Sequence, residues 1–241
     1  MILPMFYKPI LVESSHEENN KFIKELYKTY KNEIQYKDLL NQIVRVKDIP
    51  VELLSKYFAR IYTIDGNFFK NMKMALLEGN EDNEGNKVNK KNFEKYKPFI
   101  KTLYDGSEKG ALKVYESLEL YSAQSLSQTE IDNLVKYNNK KGQNLPSFIE
   151  FSKSFISFSK DKNVAKGFLS NGDKNAILTV VKYEKDINLN THADIEELSA
   201  YPEEREVLFF PFSVFEIESI EPISNEPQKF NLKLTYLGKY I

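Results

Sequence analysis

The sequence predicts an α+β fold, in which a helical N-terminal lobe precedes a mostly antiparallel β-sheet. Apolar residues recur three and four positions apart from about residue 20 to residue 111, which is the period of an amphipathic helix. After Gly110 they come in short runs rich in β-branched and aromatic side chains, which are typical of strands. With 241 residues, of which 41% are hydrophobic, the chain can bury a sizeable core.

Four segments of the first half are predicted as helices, and turn residues bound several of them. Pro50 suits the first turn of a helix, and Gly79 and Gly106 suit the positions just past helix ends. The polar segment 81–92 has almost no apolar residue and is predicted as an exposed loop. The predicted helices are FIKELYKTYKNEI (22–34), VELLSKYFARIYT (51–63), NFFKNMKMALLEG (67–79) and FEKYKPFIKTLYDG (93–106).

The second half is predicted as strands with two helices between them. Ser127 and Glu130 have the spacing of a capping box, which starts the first of these helices. We therefore divide the chain into an extension (1–19), a helical lobe (20–112) and a sheet domain (113–241). The strand candidates are KVYESLELYSAQ (113–124), FIEFSKSFISFS (148–159), AILTVVKYE (176–184), EVLFFPFSVFEIESIE (206–221) and FNLKLTYLGKYI (230–241), and the helices are SQTEIDNLVKYNNK (127–140) and KDKNVAKGFLS (160–170).

Charge and composition exclude several kinds of site. Thirty-four Lys and Arg residues against 35 Asp and Glu residues leave a net charge of -1, so no global field directs the chain to nucleic acid or to an anionic membrane. The absence of cysteine excludes disulfides, thiolate metal sites and a cysteine nucleophile, and two histidines are too few for a histidine cage. We therefore expect no metal, no nucleic-acid partner and no membrane partner.

The most informative segment runs from Ser199 to Pro211. If the backbone is extended from Glu204 onward, Glu204 and Glu206 share one face and Arg205 points the opposite way. Two carboxylates would then face one ligand. The alternative is a solvated acidic turn ahead of a buried strand, because runs of charge usually face water.

Two further segments carry hydroxyl groups near predicted strand ends. Ser157 and Ser159 would share a strand face, and Ser159 would then cap the following helix. Tyr121, Ser122 and Gln124 lie on a strand that runs into the helix capped by Ser127. By themselves, such hydroxyl groups are more often structural than functional.

Together and in this order, the three segments resemble the arginine-type (R-S-E) mono-ADP-ribosyltransferases. That family carries a Tyr-Arg-Gly strand, a Ser-Thr-Ser strand with a short helix, and Glu-x-Glu leading into a strand rich in Val and Leu. The segment 194–216, DIEELSAYPEEREVLFFPFSVFE, is similar to the family's substrate loop and glutamate pair. The likeness extends over about residues 45–241 and implies a two-sheet ADP-ribosyltransferase-like core. Three positions depart from the pattern, because Ser122 replaces the Arg, Ala123 replaces the Gly and Phe158 replaces the central Thr.

The resemblance implies that the protein cleaves the nicotinamide–ribose bond of NAD and transfers ADP-ribose to a protein acceptor, arginine being favoured. Glu206 would stabilise the positive charge on the ribose, and Ser157 would hold Glu206 or the ribose. Glu204 would orient or deprotonate the acceptor, which Tyr201 would also contact. The residues implied in NAD binding are Tyr121, Ser122, Gln124, Ser157 and Ser159.

The replacement of the family's Arg by Ser122 leaves three functions open. An active transferase, or an NAD glycohydrolase, would bind NAD more weakly, by about ten- to a hundred-fold, because a phosphate-binding Arg is lost. A catalytically degenerate relative would keep the fold as a binding module. In the third case, the protein is a plain interaction module. A transferase would bring Ser122, Ser157 and Glu206 to one cleft with Glu204 at its rim, whereas a Phe158 side chain filling that cleft would favour the degenerate relative.

Three further expectations concern two aromatic residues, His192 and the N-terminal segment. Phe168 and Tyr121 are predicted as core residues, since aromatic side chains at such spacing usually pack. His192 is predicted in a surface loop. The N-terminal MILPMFYKPILV lacks a basic start and a small-residue cleavage site and is too short to span a bilayer, so we expect a cytoplasmic protein or one delivered into a host cell without a cleavable signal peptide.

Overall fold

A computed structural model describes residues 15–46, 48–78, 90–115, 119–138, 149–151, 154–169, 175–183, 190–223 and 226–239. In the described part of the chain five helices come first, and the sheet follows with two more helices inserted. The order of a helical lobe and then a sheet agrees with the sequence-based prediction, whereas the number of helices in the lobe does not. The helices are α1 (His16–Tyr30), α2 (Ile34–Arg45), α3 (Val51–Thr63), α4 (Asn67–Glu78), α5 (Lys90–Glu108), α6 (Gln128–Asn138) and α7 (Lys162–Gly167). The strands are β1 (Leu120–Ser125), β2 (Ile149–Phe151), β3 (Ile156–Ser159), β4 (Asn175–Tyr183), β5 (His192–Asp194), β6 (Glu206–Phe209), β7 (Ser213–Ile223) and β8 (Glu226–Lys239).

The helical lobe packs around an aromatic core. Phe58 of α3 stacks on Phe99 of α5 with ring centroids 4.7 Å apart, and Phe22 of α1 meets Phe58 edge-on at 5.6 Å. Such ring pairs add about 0.5–1.5 kcal/mol each beyond the area that they bury. Helix α2 is not among the predicted helices, although its buried residues Tyr36 and Leu40 have helical spacing. The described part of the lobe therefore contains five helices where four are predicted.

The boundaries of α1 and α5 differ from the predicted ones. A capping box formed by Ser15 and Glu18 starts α1 at His16, four residues before the predicted beginning of the lobe. The predicted loop 81–92 overlaps α5 at residues 90–92, and residues 79–89 lie outside the described part of the chain. The division of the chain into domains at residue 112 stays a prediction.

Gly106 does not end a helix, contrary to the sequence-based expectation. It lies inside α5, which continues to Glu108, and the left-handed residue that follows the helix is Gly110, with φ of 71°. A Cβ at position 106 would overlap the Cβ of Ser55 on α3. Glycine is therefore used here for close packing between α3 and α5, a requirement that only the tertiary structure reveals.

The eight described strands are hydrogen-bonded in the order β2-β7-β8-β4-β1-β3-β6-β5. A single residue pair, Tyr121 with Ser159, joins β1 to β3, so a five-stranded sheet and a three-stranded sheet meet at that point. Apart from the parallel pair β4–β8, the pairings between these strands are antiparallel. This arrangement confirms the predicted fold class.

Strand β6 is buried on both of its faces. Val207 and Phe209 point into the core of the sheet domain, whereas Leu208 and the following Phe210 join the core of the helical lobe. The strand therefore lies between two cores, and its first residue, Glu206, lies on the same face as Leu208, toward the lobe.

His192 is a core residue and not part of a surface loop as predicted. It is 0% exposed in β5, its ring stacks on Phe209 at 4.7 Å, and Tyr183 lies on its other side at 5.6 Å. Nε2 bonds the Tyr115 carbonyl oxygen at 2.8 Å, while Nδ1 is buried without a partner. Burial lowers the pKa of His192 to about 4.

Candidate active site

A cavity of about 420 Å³ lies where the helical lobe meets the junction of the two sheets. This volume is within the range of small-molecule sites in proteins. Its walls come from the end of α3, the following turn and α4 on one side, and from β1, β3, α7 and the start of β6 on the other. The cavity brings together most of the residues singled out from the sequence: Tyr121, Ser122, Ser157, Ser159, Tyr201, Glu204 and Glu206.

Strand register places the hydroxyl of Ser157 beside the carboxylate of Glu206. In the β3–β6 ladder Ser159 pairs with Glu206 and Ser157 with Leu208, so Ser157 and Glu206 are diagonal neighbours on one face. The Ser157 hydroxyl donates a hydrogen bond to Oε1 of Glu206. Burial raises the pKa of Glu206 to about 7; the Ser157 hydrogen bond opposes this rise and the charge of Glu204 adds to it. A buried carboxylate in a cavity wall is a common sign of a functional site.

A turn brings Glu204 to the cavity, whereas the sequence predicts an extended backbone from Glu204 onward. Residues Pro202–Glu204 form a 3₁₀ turn, and Arg205 is left-handed with φ of 51°. This turn brings Glu204 to the cavity, while Arg205 is exposed and does not line it. Burial, and then the charge of Glu203, raises the pKa of Glu204.

Ser159 does not cap α7 as predicted. Its hydroxyl donates to the Glu204 carbonyl oxygen at 2.7 Å and accepts from the backbone N–H of Asp161 at 2.9 Å. Asp161 is the cap, since its side chain accepts from the N–H of Asn163 at 2.8 Å. Ser159 therefore ties the 3₁₀ turn to β3. Gln124, assigned to NAD binding from the resemblance, lies on β1 but does not line the cavity.

The aromatic residues near the cavity are arranged differently from the prediction. The Phe158 ring packs on Phe209 at 5.1 Å and on Phe215 at 6.1 Å in the core, so this side chain does not fill the cavity. Phe168, predicted as core, is 64% exposed at the cavity rim, because α7 ends at Gly167. Tyr121 is half-buried in the cavity wall, and its hydroxyl donates to Glu119 at 2.9 Å.

The charge in the cavity is negative among the described residues. Glu204 and Glu206 line it together with Asp65, and no described Lys or Arg does so. Two lysines lie near aromatic rings that line the cavity. Lys162 Nζ lies 5.7 Å from the ring centroid of Tyr121, and Lys73 Nζ lies 6.0 Å from that of Phe69, which also lines the cavity. Within the described ranges, no three His, Asp or Glu side chains are grouped so that they could hold a metal ion.

The helical lobe contributes a wall of the cavity whose residues are not predicted from the sequence. Tyr62, Thr63, Gly66 and Phe69 line the cavity opposite the strands. Burial, with the charge of Glu206, raises the pKa of Tyr62 well above its usual range. In the sequence these residues belong to helical patterns, which are indistinguishable from ordinary packing, so no local signal identifies them.

Comparisons with known proteins identify the fold. No family model matches the chain, and no curated protein matches it. Solved structures do match. Type III effector XopAI from Xanthomonas axonopodis pv. citri, without its 70 N-terminal residues, is 14% identical, with 96% of this chain and 92% of that chain covered and a TM-score of 0.60. ADP-ribosyltransferase HopU1 of Pseudomonas syringae pv. Tomato DC3000 is 15% identical over 94% and 99%, with a TM-score of 0.57.

A third match is ADP-ribosyltransferase Vis, a toxin from Vibrio splendidus, in complex with agmatine. It is 18% identical over 94% of this chain and 87% of that one, with a TM-score of 0.54. The chain has the ADP-ribosyltransferase fold. Among the described helices, none has the length and apolar content needed to cross a membrane.

Proposed function

We propose that the protein is a mono-ADP-ribosyltransferase, which takes NAD as its substrate, releases nicotinamide and transfers ADP-ribose to a protein. The observation that carries the proposal is the buried Glu206 carboxylate, held by Ser157 in the wall of a cavity at the junction of the two sheets. The fold shared with HopU1 and Vis supports it. No metal is needed for this chemistry.

Glu206 stabilises the charge that develops during bond cleavage. The bond between the ribose C1′ and the nicotinamide nitrogen breaks, both electrons stay on nicotinamide, which leaves neutral, and positive charge grows on the ribose. A carboxylate beside C1′ stabilises this charge more in the transition state than in the ground state, as in glycosidases. The cationic nicotinamide ring of bound NAD also lowers the pKa of Glu206 and keeps it ionised.

Glu204 and Tyr201 act on the acceptor. The acceptor nitrogen forms a bond to C1′, and Glu204 takes the proton that this nitrogen loses. Tyr201 is 39% exposed beside Glu204 at the cavity rim, where an incoming side chain would pass. We favour a guanidinium acceptor, because two carboxylates face the cavity and because Vis, with the same fold, binds agmatine, a guanidinium compound.

Substitution of Glu204 by Gln should separate the two halves of the reaction. With agmatine and labelled NAD, we expect Glu204→Gln to lower transfer by on the order of 100-fold, the contribution typical of a general base, whereas nicotinamide release falls less than about tenfold. Both products are measured in the same sample, and Glu203→Gln, one residue earlier and exposed, is the matched control. Equal loss of both products would assign Glu204 to bond cleavage instead.

The second candidate function is a degenerate binding module. The observation that favours it is the absence of any described Lys or Arg from the cavity lining, combined with Ser122 at the position of the family's Arg. A nucleotide diphosphate needs a cation or several N–H donors. Lys162 is the candidate for that role in an active enzyme, because it is exposed, forms no ion pair with a described residue and lies over Tyr121.

Substitution of Lys162 by Gln should weaken NAD binding. We expect the Kd from a calorimetric titration to rise about three- to ten-fold, the effect of one exposed charge-assisted contact, and the Kd of nicotinamide alone to stay unchanged. Lys166→Gln is the control, since Lys166 is exposed on the same short helix. Only Lys162 of these two lysines lies over the ring of Tyr121. Absence of any NAD heat for the unmodified protein would favour the binding module.

We also propose delivery into another cell as the setting of this activity. XopAI is a type III effector and Vis is a toxin, and both share the fold of this chain. A protein acceptor in the receiving cell is consistent with the exposed Tyr201 and Phe168 at the cavity rim.

A further inference from the structure

The last turn of α3 holds the segment that leads into Tyr201. Nη1 of Arg60 donates to the carbonyl oxygens of Ser199 and, at 3.3 Å, of Leu198. The Thr63 hydroxyl accepts from the backbone N–H of Ala200 at 2.8 Å and donates to the Arg60 carbonyl oxygen at 2.9 Å. Two side chains one turn apart on one helix thus bind backbone groups of three consecutive loop residues, Leu198, Ser199 and Ala200.

The sheet holds the same loop independently. Lys160 Nζ contacts Asp194 Oδ2 at 2.5 Å and Glu196 Oε2 at 2.8 Å, and its backbone N–H donates to the Arg205 carbonyl oxygen at 3.1 Å. Ser159 holds Glu204, as described above. The two ends of the loop are therefore fixed to the sheet, and Arg60 fixes its middle to the helical lobe.

Ser199 connects Arg60 to Tyr201, which lies at the rim of the cavity. It is 0% exposed, and its hydroxyl accepts from the backbone N–H of Tyr201 at 3.0 Å. The Tyr201 carbonyl oxygen in turn accepts from the N–H of Glu204 at 3.0 Å. A continuous chain of hydrogen bonds thus runs from Arg60 through Ser199 and Tyr201 to Glu204.

We propose that Arg60 is a positioning residue, which holds Tyr201 and Glu204 at the acceptor side of the cavity and so directs ADP-ribose to an acceptor nitrogen instead of water. The inference rests on the proposed function and gives the helical lobe a role in it. In transfer, the acceptor nitrogen bonds to C1′ and its proton goes to Glu204. In the competing hydrolysis, a water oxygen bonds to C1′ and releases a proton to solvent. Glu206 serves both reactions, whereas only transfer needs the position of Glu204.

The test compares Arg60→Met and Arg60→Lys with Arg45→Met. Arg45 is the matched control, because it is exposed at the end of α2 and makes no hydrogen bond or ion pair with a described residue. Nicotinamide, free ADP-ribose and ADP-ribosyl-agmatine are quantified together. We expect Arg60→Met to lower the ratio of transfer to hydrolysis at least about tenfold and to raise the KM for agmatine, with Arg60→Lys intermediate and Arg45→Met unchanged. An unchanged ratio, or equal loss of all products, would overturn the proposal.

Hydrogen exchange separates failure of this inference from failure of the proposed function. In Arg60→Met the amides of Ala200 and Tyr201 should exchange at least about tenfold faster than in the unmodified protein, while those of α5 keep their rates. This measurement needs no NAD. If exchange rises but the unmodified protein releases no nicotinamide, the proposed function is wrong and Arg60 only holds the loop. If exchange at these amides does not change, the positioning role itself is wrong.

Discussion

Replacement of Glu206 by Gln is expected to lower nicotinamide release from NAD by on the order of 1,000-fold, because removal of one group that stabilises transition-state charge in a buried site has effects of this size. Gln has nearly the same shape as Glu, and its carbonyl oxygen can still accept the hydrogen bond from Ser157. The substitution therefore removes charge and leaves the cavity wall in place. The measurement is initial-rate nicotinamide release at saturating NAD.

The pH dependence of kcat/KM for NAD, measured on the unmodified protein, provides the matching control. The pKa of Glu206 is raised to about 7 by burial, and only the ionised form stabilises a cationic ribose. We expect kcat/KM for NAD to rise about tenfold per pH unit below pH 7 and then to level off, because this parameter follows the free enzyme. A pH-independent rate, or a Glu206→Gln variant within tenfold of the unmodified enzyme, would contradict the assigned role.

The sequence predicts well those features that depend on local pattern. The helix 51–63 is found with the predicted bounds, and the runs 206–221 and 230–241 become β6, β7 and part of β8, because their apolar spacing and turn residues agree with their tertiary surroundings. The convergence of Ser122, Ser157 and Glu206 on one cavity also follows the expectation, since strand register fixes which side chains share a face.

Features decided by contacts between distant segments were not predictable. Pro202–Glu204 is a 3₁₀ turn and Arg205 is left-handed because Ser159 and Lys160 bind the Glu204 and Arg205 carbonyl oxygens, some 45 residues away in sequence. The burial of His192 depends in the same way on rings that only the folded sheet brings to it. Such contacts override local preference, and no local pattern indicates them.

Phe158 and Phe168 show that the local sequence also fails to predict which side chains lie at the candidate site. Both belong to the segment that resembles the family's Ser-Thr-Ser strand and helix, and both are large and apolar. Strand alternation turns Phe158 into the core, while the end of α7 leaves Phe168 at the cavity rim. The two residues are of the same type, so their different positions follow only from the face of β3 on which Phe158 lies and from the residue at which α7 ends.

The Glu206→Gln variant should also be more stable than the unmodified protein at alkaline pH. The pKa of Glu206 is about 7 in the folded protein and near 4.5 in the unfolded chain, so the folded state binds more protons between these values. The stability that Glu206 contributes is fully present below pH 4.5 and is lost as pH rises through 7. At pH 8 we expect the variant to exceed the unmodified protein by about 3 kcal/mol in the free energy of unfolding, and at pH 4.5 to match it.

The comparison between the two proteins separates the contribution of Glu206 from that of His192, another buried titratable group. His192 acts in the opposite direction, because its pKa is lowered to about 4, so the folded protein loses stability as pH falls from 6.5 through 4. Both proteins contain His192, and its contribution cancels in the difference between their urea unfolding free energies at each pH. The difference must therefore grow between pH 4.5 and pH 8. A difference that stays constant over this range would mean that Glu206 ionises freely in the folded state, and the buried carboxylate on which the proposed chemistry depends would be absent.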